Sequence, residues 1–563
     1  MSKYNFFQLF KYTELTEILH NFSKSYPQLV TAEVMGKSYE GRDIWVVTVT
    51  NKASGSAEEK PALWFDGNIH ATELVSATAC LAFIDRLVTQ YGDNEAITRL
   101  LDKRTFYVCP RLNPDGAEAA LADDPKFVRS STKPYPFDEE PVAGIVARDI
   151  DGDGRILSMR IPDNNGNWKK HFDDPRLMIR REPGEEGGDY FSLLNEGDLY
   201  NLKGDIYQHA PQKEGLDLNR NFPNWVPEGK QKGAGDAPLS EPETRAMSDF
   251  IVSHRNISIA VYGHTCSGVL LRPSTSVADV EIPTDDLQLY KMMGKKGEEI
   301  TGYPAFSTFH DFRYDSKSVI LGTENWFYEA LGIVCWTVEY WAPHREAGVE
   351  VGHYIDWFAE HPVEDDLKML HWSDEVLGGK GYVDWYEFDH PVLGSVELGG
   401  WNTLQSISNP PDHLIEKEIS PVIDWVLWLA TLTPCLELYR AEVVALGEGM
   451  YRIEFVVENT GYMSTCGTER AVEGKVTREV MVEIQLPEGC SLIHGKLREN
   501  LGHLDGRNGV PAASFIVNSV LGGSSRAQRA IVEWIVKAAK GTEIKLIAKQ
   551  PRSGIVRTAV RCE

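Results

Sequence analysis

The stretch Trp64–Ala77, WFDGNIHATELVSA, carries an apolar run out through Gly67 and into a helix-like segment, with a histidine and a glutamate three residues apart in the join. Its first residues complete a strand-length run, PALWFDG. The succeeding segment, ELVSATACLAFIDRLVTQYG from Glu73 to Gly92, has helical length and apolar spacing. In open α/β sheets, ligands bind outside the carboxyl ends of the strands, which is where this join puts His70 and Glu73. The pair by itself proves little, because His-x-x-Glu recurs at His361 (HPVE) and His413 (HLIE). Context sets the first occurrence apart.

Further strand-length runs flank this one: DIWVVTVT from Asp43, TFYVCP from Thr105, ISIAVYG from Ile257 and GIVCWTVEY from Gly332. They alternate with helical stretches from Met1 to about Thr433, the pattern of an α/β sheet. Between Asp123 and Glu214 the patterning gives way to Asp, Gly, Pro and Arg. A structureless loop of that length does not suit a compact domain, so the reading is a structured insertion over about 130–214, near the site. After LATLTPCLEL the texture changes to YRIEFVVENTG, REVMVEIQLP, ASFIVNSVLG, RAIVEWIVKA and TEIKLIAKQ, several with the period of two that half-buried strands show. The chain therefore reads as two domains, an α/β catalytic part over 1–433 and a small all-β, sandwich-like part over 434–563.

Bulk properties narrow the function classes. At 563 residues the chain exceeds one ordinary core. A formal net charge of −26 lacks the basic footprint that nucleic-acid phosphates require, so no nucleic-acid partner is expected. No stretch approaches a membrane span. The opening MSKYNFFQLFKYTELTEIL has none of the parts of a secretory signal, and the eight cysteines show neither CxxC pairs nor dense spacing. Both features predict a cytoplasmic protein with reduced thiols, with a secreted mature form left open.

His264, in ISIAVYGHTCSG, repeats the context of His70: apolar strand, glycine, histidine, small polar residues. Two histidines and a carboxylate at strand ends make a three-ligand zinc site with an open fourth position, the arrangement of catalytic zinc. Glu339 ends the run GIVCWTVEY. A carboxylate there is costly unless paired or working, and beside a zinc-activated water it would serve as general base. Arg129 follows the turn NPDG, and Asn219 with Arg220 lies in GLDLNRNFPNW; an arginine fork and a neutral amide suit a carboxylate ligand.

The ordered series GNIHATE, NPDG followed by Arg129, DLNRNF, PLSEPETRA, GHTCSG and WTVEYW closely resembles the M14 zinc carboxypeptidases, the carboxypeptidase A-like family, over roughly residues 5–430. The opening strands in YPQLVTAEVMGKSYEGRDIWVVTVT fit it too. The resemblance implies that family's mixed open sheet flanked by helices and one zinc per chain, held by His70, Glu73 and His264. It implies Glu339 as general base, Arg129 polarising the scissile carbonyl, and Asn219 with Arg220 binding the terminal carboxylate of a peptide substrate. It also points to Tyr314 as the capping tyrosine, with Tyr328 behind it. Glu324, in GTENW, falls at the variable position of the pocket for the terminal side chain, and a carboxylate there would favour terminal lysine or arginine. Two positions depart from the family: Thr72 stands where pancreatic-type members have arginine, and Asn325 replaces an aspartate.

The expected activity is hydrolysis of the C-terminal peptide bond. Another zinc amide hydrolase on the same fold, a cell-wall peptide amidase or a deacylase, would use the same groups, and a catalytically silent binding protein is the alternative of a different class. In the insertion, Asp149, Asp151, Asp153 and Gly154 match the start of an EF-hand-type calcium loop, but Arg160 takes the place of the twelfth, bidentate acid. A divergent calcium site and a plain acidic turn both stay open at this point.

Overall fold

The computed structural model describes residues 4–136, 143–200, 208–313, 320–509 and 526–563. Its centre is an eight-stranded sheet built from Val30–Lys37 (β1), Asp43–Val49 (β2), Ala62–Gly67 (β3), Thr105–Cys109 (β4), Ile257–Thr265 (β5), Val269–Arg272 (β6), Ala305–Ser307 (β7) and Val334–Tyr340 (β8). The order across the sheet is β1-β2-β4-β3-β5-β8-β6-β7. The four middle strands, β4, β3, β5 and β8, run parallel, so their carboxyl ends open on one edge. Each is apolar and buried on both faces, as strands covered by helices must be.

Side-chain alternation shows how the helices cover the sheet. On one face Phe65 and Phe106 meet Phe83 of the helix Val75–Gln90 (α1), with ring centroids 5.3 and 5.4 Å apart. Their sequence neighbours Trp64 and Tyr107 point the other way and meet Phe250 of Pro242–Ser253 (α2). Helix α1 comes very close to the sheet where β3 and β5 end. A Cβ on Gly263 would lie 2.6 Å from Ser76 Cβ, and one on Gly67 would lie 2.9 Å from it. These two glycines bring the helix start, and with it Glu73, down onto the strand ends.

The expected insertion is structured, and its partner lies outside the segment read from sequence. Ser158–Pro162, Trp168–Lys170, Met178–Arg180 and Phe191–Asn195 form a six-stranded sheet with Tyr382–His390 and Gly394–Trp401. Met159, Ile161 and Leu194 share a small core there with Val396 and Leu398. The strands at 382–401 carry mixed burial and no sustained alternation, so the sequence offers no strong strand signal there.

From Leu436 onward, two four-stranded antiparallel sheets pack face to face. Ile453, Phe455, Val532, Trp534 and Val536 of one share a core with Val482, Ile484, Ile544, Leu546 and Ala548 of the other. The run ASFIVNSVLG, expected as a strand, lies outside the described residues. All eight cysteines are free thiols, six of them buried. Among the described residues no helix is long and apolar enough to cross a membrane.

The close approach of α1 yields a test. Gly263→Ala forces its new methyl against Ser76, and overpacking of this kind costs about 1–3 kcal/mol. Urea unfolding followed by tryptophan fluorescence should show the first transition at lower denaturant than in the parent.

Candidate active site

After β3 the chain turns through Asn68, whose φ of 58° lies in the left-handed region that asparagine tolerates. A turn outside the sheet ladder must find other partners for its backbone. Asn68 Nδ2 donates to the His70 carbonyl at 2.7 Å, Asn113 Nδ2 to the Ile69 carbonyl at 3.2 Å, and Asn409 Nδ2 to the Thr72 carbonyl at 2.8 Å. Ser76 Oγ donates to the Glu73 carbonyl at 2.7 Å. Groups far apart in sequence thus fix the turn that presents His70 and Glu73.

The neighbouring strand supplies the third member. Parallel pairing puts Gly263 beside Gly67, so His264 emerges next to the turn, and in the same register His264 stands opposite Glu339 of β8. His70 Nδ1 lies 2.8 Å from Glu73 Oε1 and 3.0 Å from His264 Nδ1, and His264 Nδ1 lies 2.9 Å from Glu73 Oε2. All three side chains are buried. Tetrahedral zinc with bonds of ~2.0–2.2 Å sets its ligand atoms roughly 3.3 Å apart, so the donor set fits the ion in both type and spacing.

A residue with no role in the sequence reading completes the cluster. Asp217, two positions before Asn219, accepts from His70 at Nε2 (3.1 Å) and from Arg129 Nε (3.3 Å), and its Oδ2 lies 3.8 Å from Arg220 Nη2. A carboxylate on the far nitrogen of a ligating histidine fixes its tautomer and raises its basicity. Its signal was present: an aspartate inside the same short motif, DLNRNF, as Asn219 and Arg220. Arg129 also reaches Glu73 Oε1 at 3.2 Å.

Charge sets the protonation of these groups. Burial alone would raise Asp217, but the guanidinium groups of Arg220 and Arg129, with His70, hold it well below the usual carboxylate range. Glu73 is likewise held low by His70 and His264 against the effect of burial. Glu339 goes the other way: burial, with the nearby charge of Glu73, pushes it up to about 7 although His264 and Arg129 oppose the shift.

His70, Glu73, Arg129, Asn219, Arg220, His264, Glu324 and Glu339 all line one cavity of about 310 Å³. Asn219 Oδ1 accepts from the Thr323 amide (2.8 Å) and hydroxyl (2.6 Å), which orients the side chain so that Nδ2 is left to donate. The Tyr262 hydroxyl holds Glu324 Oε2 at 3.0 Å, and Leu271, Phe312, Ile320 and Phe358 add apolar wall.

The family model for zinc carboxypeptidases, peptidase M14, matches residues 15–349, more than half of the chain. The chain belongs to the M14 zinc carboxypeptidase family. A second model, a domain of unknown function (DUF8731), matches residues 435–561. This M14 chain is 35% identical to carboxypeptidase D of Anas platyrhynchos over 109 residues, which are 19% of this chain and 8% of that protein. It is 25% identical to carboxypeptidase O of Bos taurus over 268 residues, 46% and 51% of the two chains. It therefore spans less than a tenth of the first relative and about half of the second. Among solved structures, thrombin activatable fibrinolysis inhibitor (TAFI) aligns with a TM-score of 0.44 at 18% identity, covering 76% of this chain and 75% of that one.

Two expectations about the M14 chain change and one falls outside view. Tyr314 lies outside the described residues. Tyr328 is fully buried and donates to Asp286 Oδ2 at 2.8 Å, so it packs and does not face the cleft. The calcium reading of Asp149, Asp151 and Asp153 finds no support. The three carboxylates cluster, but Asp149 accepts from the Gly152 and Gly154 amides at 2.7 Å each, Asp153 pairs with Arg155, and Asp151 accepts from the Tyr386 hydroxyl. Glu196 ties both ends of the loop through the amides of Ile150 and Leu157, and Arg160, at the twelfth position, forks onto Glu397. The loop is closed by its own hydrogen bonds.

The His70–Asp217 contact can be tested directly. Asp217→Asn should weaken zinc binding by about 10–100-fold, the usual effect of losing such a partner. Competition with a chromogenic chelator on the purified chain measures it.

Proposed function

We propose that the chain is a zinc metallocarboxypeptidase that removes the last residue of a peptide, with a pocket suited to a basic terminal side chain. The observation that carries this is the meeting, in one cavity, of the His70–Glu73–His264 donor set, Glu339, and the Arg129, Asn219 and Arg220 donors. His70, Glu73 and His264 would hold the zinc. When bound, zinc supplies a water of lowered pKa and polarises a carbonyl.

The chain's own groups would do the rest. Glu339, at the end of β8 and unusually basic for a carboxylate, takes the proton of the attacking water and hands it to the leaving amine. Arg129, about half exposed at the cleft wall, offers its guanidinium to the oxygen on which negative charge develops. Arg220 and Asn219 grip the terminal carboxylate and so restrict cleavage to the last bond. Glu324, buried and held at Oε2 by the Tyr262 hydroxyl, would gain a counter-ion from a terminal lysine or arginine.

Glu339→Gln should keep zinc and fold and lose about 10²–10⁴ in kcat, the usual weight of general acid–base catalysis, because an amide cannot take the proton. Metal analysis beside steady-state kinetics checks both halves, and near-normal turnover would remove Glu339 from the mechanism.

A matched peptide panel tests recognition. Peptides ending in free lysine or arginine should outrun those ending in leucine or phenylalanine, and Glu324→Gln should level the ranking. Amidating the terminus should cost roughly 30- to 3,000-fold in kcat/KM, the weight of a lost buried charge pair. An amidated peptide cut as fast as its acid would favour a different amide hydrolase.

A further inference from the structure

Residues 322–332 form a short arc that begins at the cleft and ends against the C-terminal sandwich. At the cleft end stand Glu324, held by Tyr262, and Thr323, held on Asn219. The middle, Trp326–Ala330, is one turn of π-helix, a geometry often found at functional sites. Its Trp326 ring stacks on Phe222, two residues past Arg220, with centroids 5.1 Å apart.

The far end is gripped from the other domain. Arg552 Nη2 donates to the Leu331 carbonyl at 2.5 Å and its Nη1 to the carbonyls of Gly332 (2.8 Å) and Cys466 (2.7 Å). Thr468 Oγ1 donates to Gly332 O at 2.8 Å and also receives the Ala471 amide at 3.1 Å. Gly332, at φ 58°, sits so close to the short helix Glu469–Glu473 that a Cβ there would lie 2.4 Å from Ala471 Cβ. Asp286 joins the two sides: it accepts from the Tyr328 hydroxyl and from the amides of Glu469 (2.7 Å) and Arg470 (3.0 Å).

From this geometry we infer that the C-terminal sandwich is a positioning element for the terminal-side-chain pocket. Arg552 and Thr468 clamp the Leu331–Gly332 turn, and the clamp holds the π-turn and hence Glu324 at the cleft. The Arg552 fork is planar and buried, so it sets an angle between the Cys466 segment and the turn that a flexible tether would not. Neither Arg552 nor Thr468 lines the cleft. The inference rests on the reading of Glu324 as part of the substrate pocket.

Arg552→Met and Thr468→Val each remove part of the clamp from the full-length, zinc-loaded chain, and Arg552→Lys is the conservative control. The readouts are kinetics on a peptide ending in lysine and its twin ending in leucine, zinc content, and hydrogen exchange of the amides at Trp326–Gly332. The expected result is a KM for the lysine peptide raised about tenfold, the loss of about one well-placed hydrogen bond to a charged group. With it, kcat and the leucine twin should be little changed, exchange at Trp326–Gly332 should be faster, and Arg552→Lys should recover part of both. In folded variants, unchanged exchange with an unchanged lysine-to-leucine ratio overturns the inference. So does a proportional loss on both peptides together with zinc, which marks a general loss of fold. If the parent chain shows no preference for lysine, the reading of Glu324 fails separately, and exchange alone then decides: faster exchange supports the clamp and parental exchange rejects it.

Discussion

Glu73, Glu324 and Glu339 line one cavity, Asp217 stands directly behind it, and among the described residues Arg129 and Arg220 bring permanent positive charge to that wall. Carboxylates gathered this closely repel one another and lose hydration, so the arrangement persists only where cations and hydrogen bonds answer each one. The histidines answer Glu73, the arginines answer Asp217, and Tyr262 answers Glu324. A divalent cation held by His70, Glu73 and His264, as proposed, would add to that balance. Glu339 is the carboxyl whose proton affinity rises, because burial, with the charges of Glu73 and Glu324, outweighs His264 and Arg129.

The sheet exists in a form that makes this gathering possible. Parallel neighbours deliver their carboxyl ends to one edge, so each of β3, β5 and β8 contributes a group without any long loop having to reach. Gly67 and Gly263 let α1 press on that edge, which seats the turn bearing His70 and Glu73 close against the strand ends. The insertion lies in sequence between Arg129 and Asp217, whose side chains are hydrogen-bonded to each other, and its strands form a sheet separate from the central one.

Beside the apolar seat of Met463 in the catalytic core, the two parts of the chain meet through polar contacts to backbone: a buried guanidinium on carbonyls, an aspartate on amides, a threonine hydroxyl on a glycine oxygen. Such contacts are directional, unlike an apolar interface, and they constrain how a turn is oriented as well as where it lies. That difference is why the sandwich bears on Glu324 through the π-turn and does more than add surface.

Much of this was legible in the residues. Apolar runs of strand length marked β2, β3, β4, β5 and β8, and helical spacing marked α1, because a strand covered on both faces is apolar along its length while a helix is apolar on the side it buries. The candidate residues were legible because few residue types bind metal or carboxylate: His70, Glu73, His264 and Glu339 stood at the ends of apolar runs, while Asn219 and Arg220 were marked by the motif DLNRNF, and the fold brings all six to one cavity. The pairing of the insertion with Tyr382–Trp401, the seat of Asp217 on His70, the burial of Tyr328 and the grip of Arg552 on Gly332 were not. These depend on which distant segments become neighbours. Period and propensity fix the face a residue presents; only the packed chain, through strand register and helix approach, decides what that face meets.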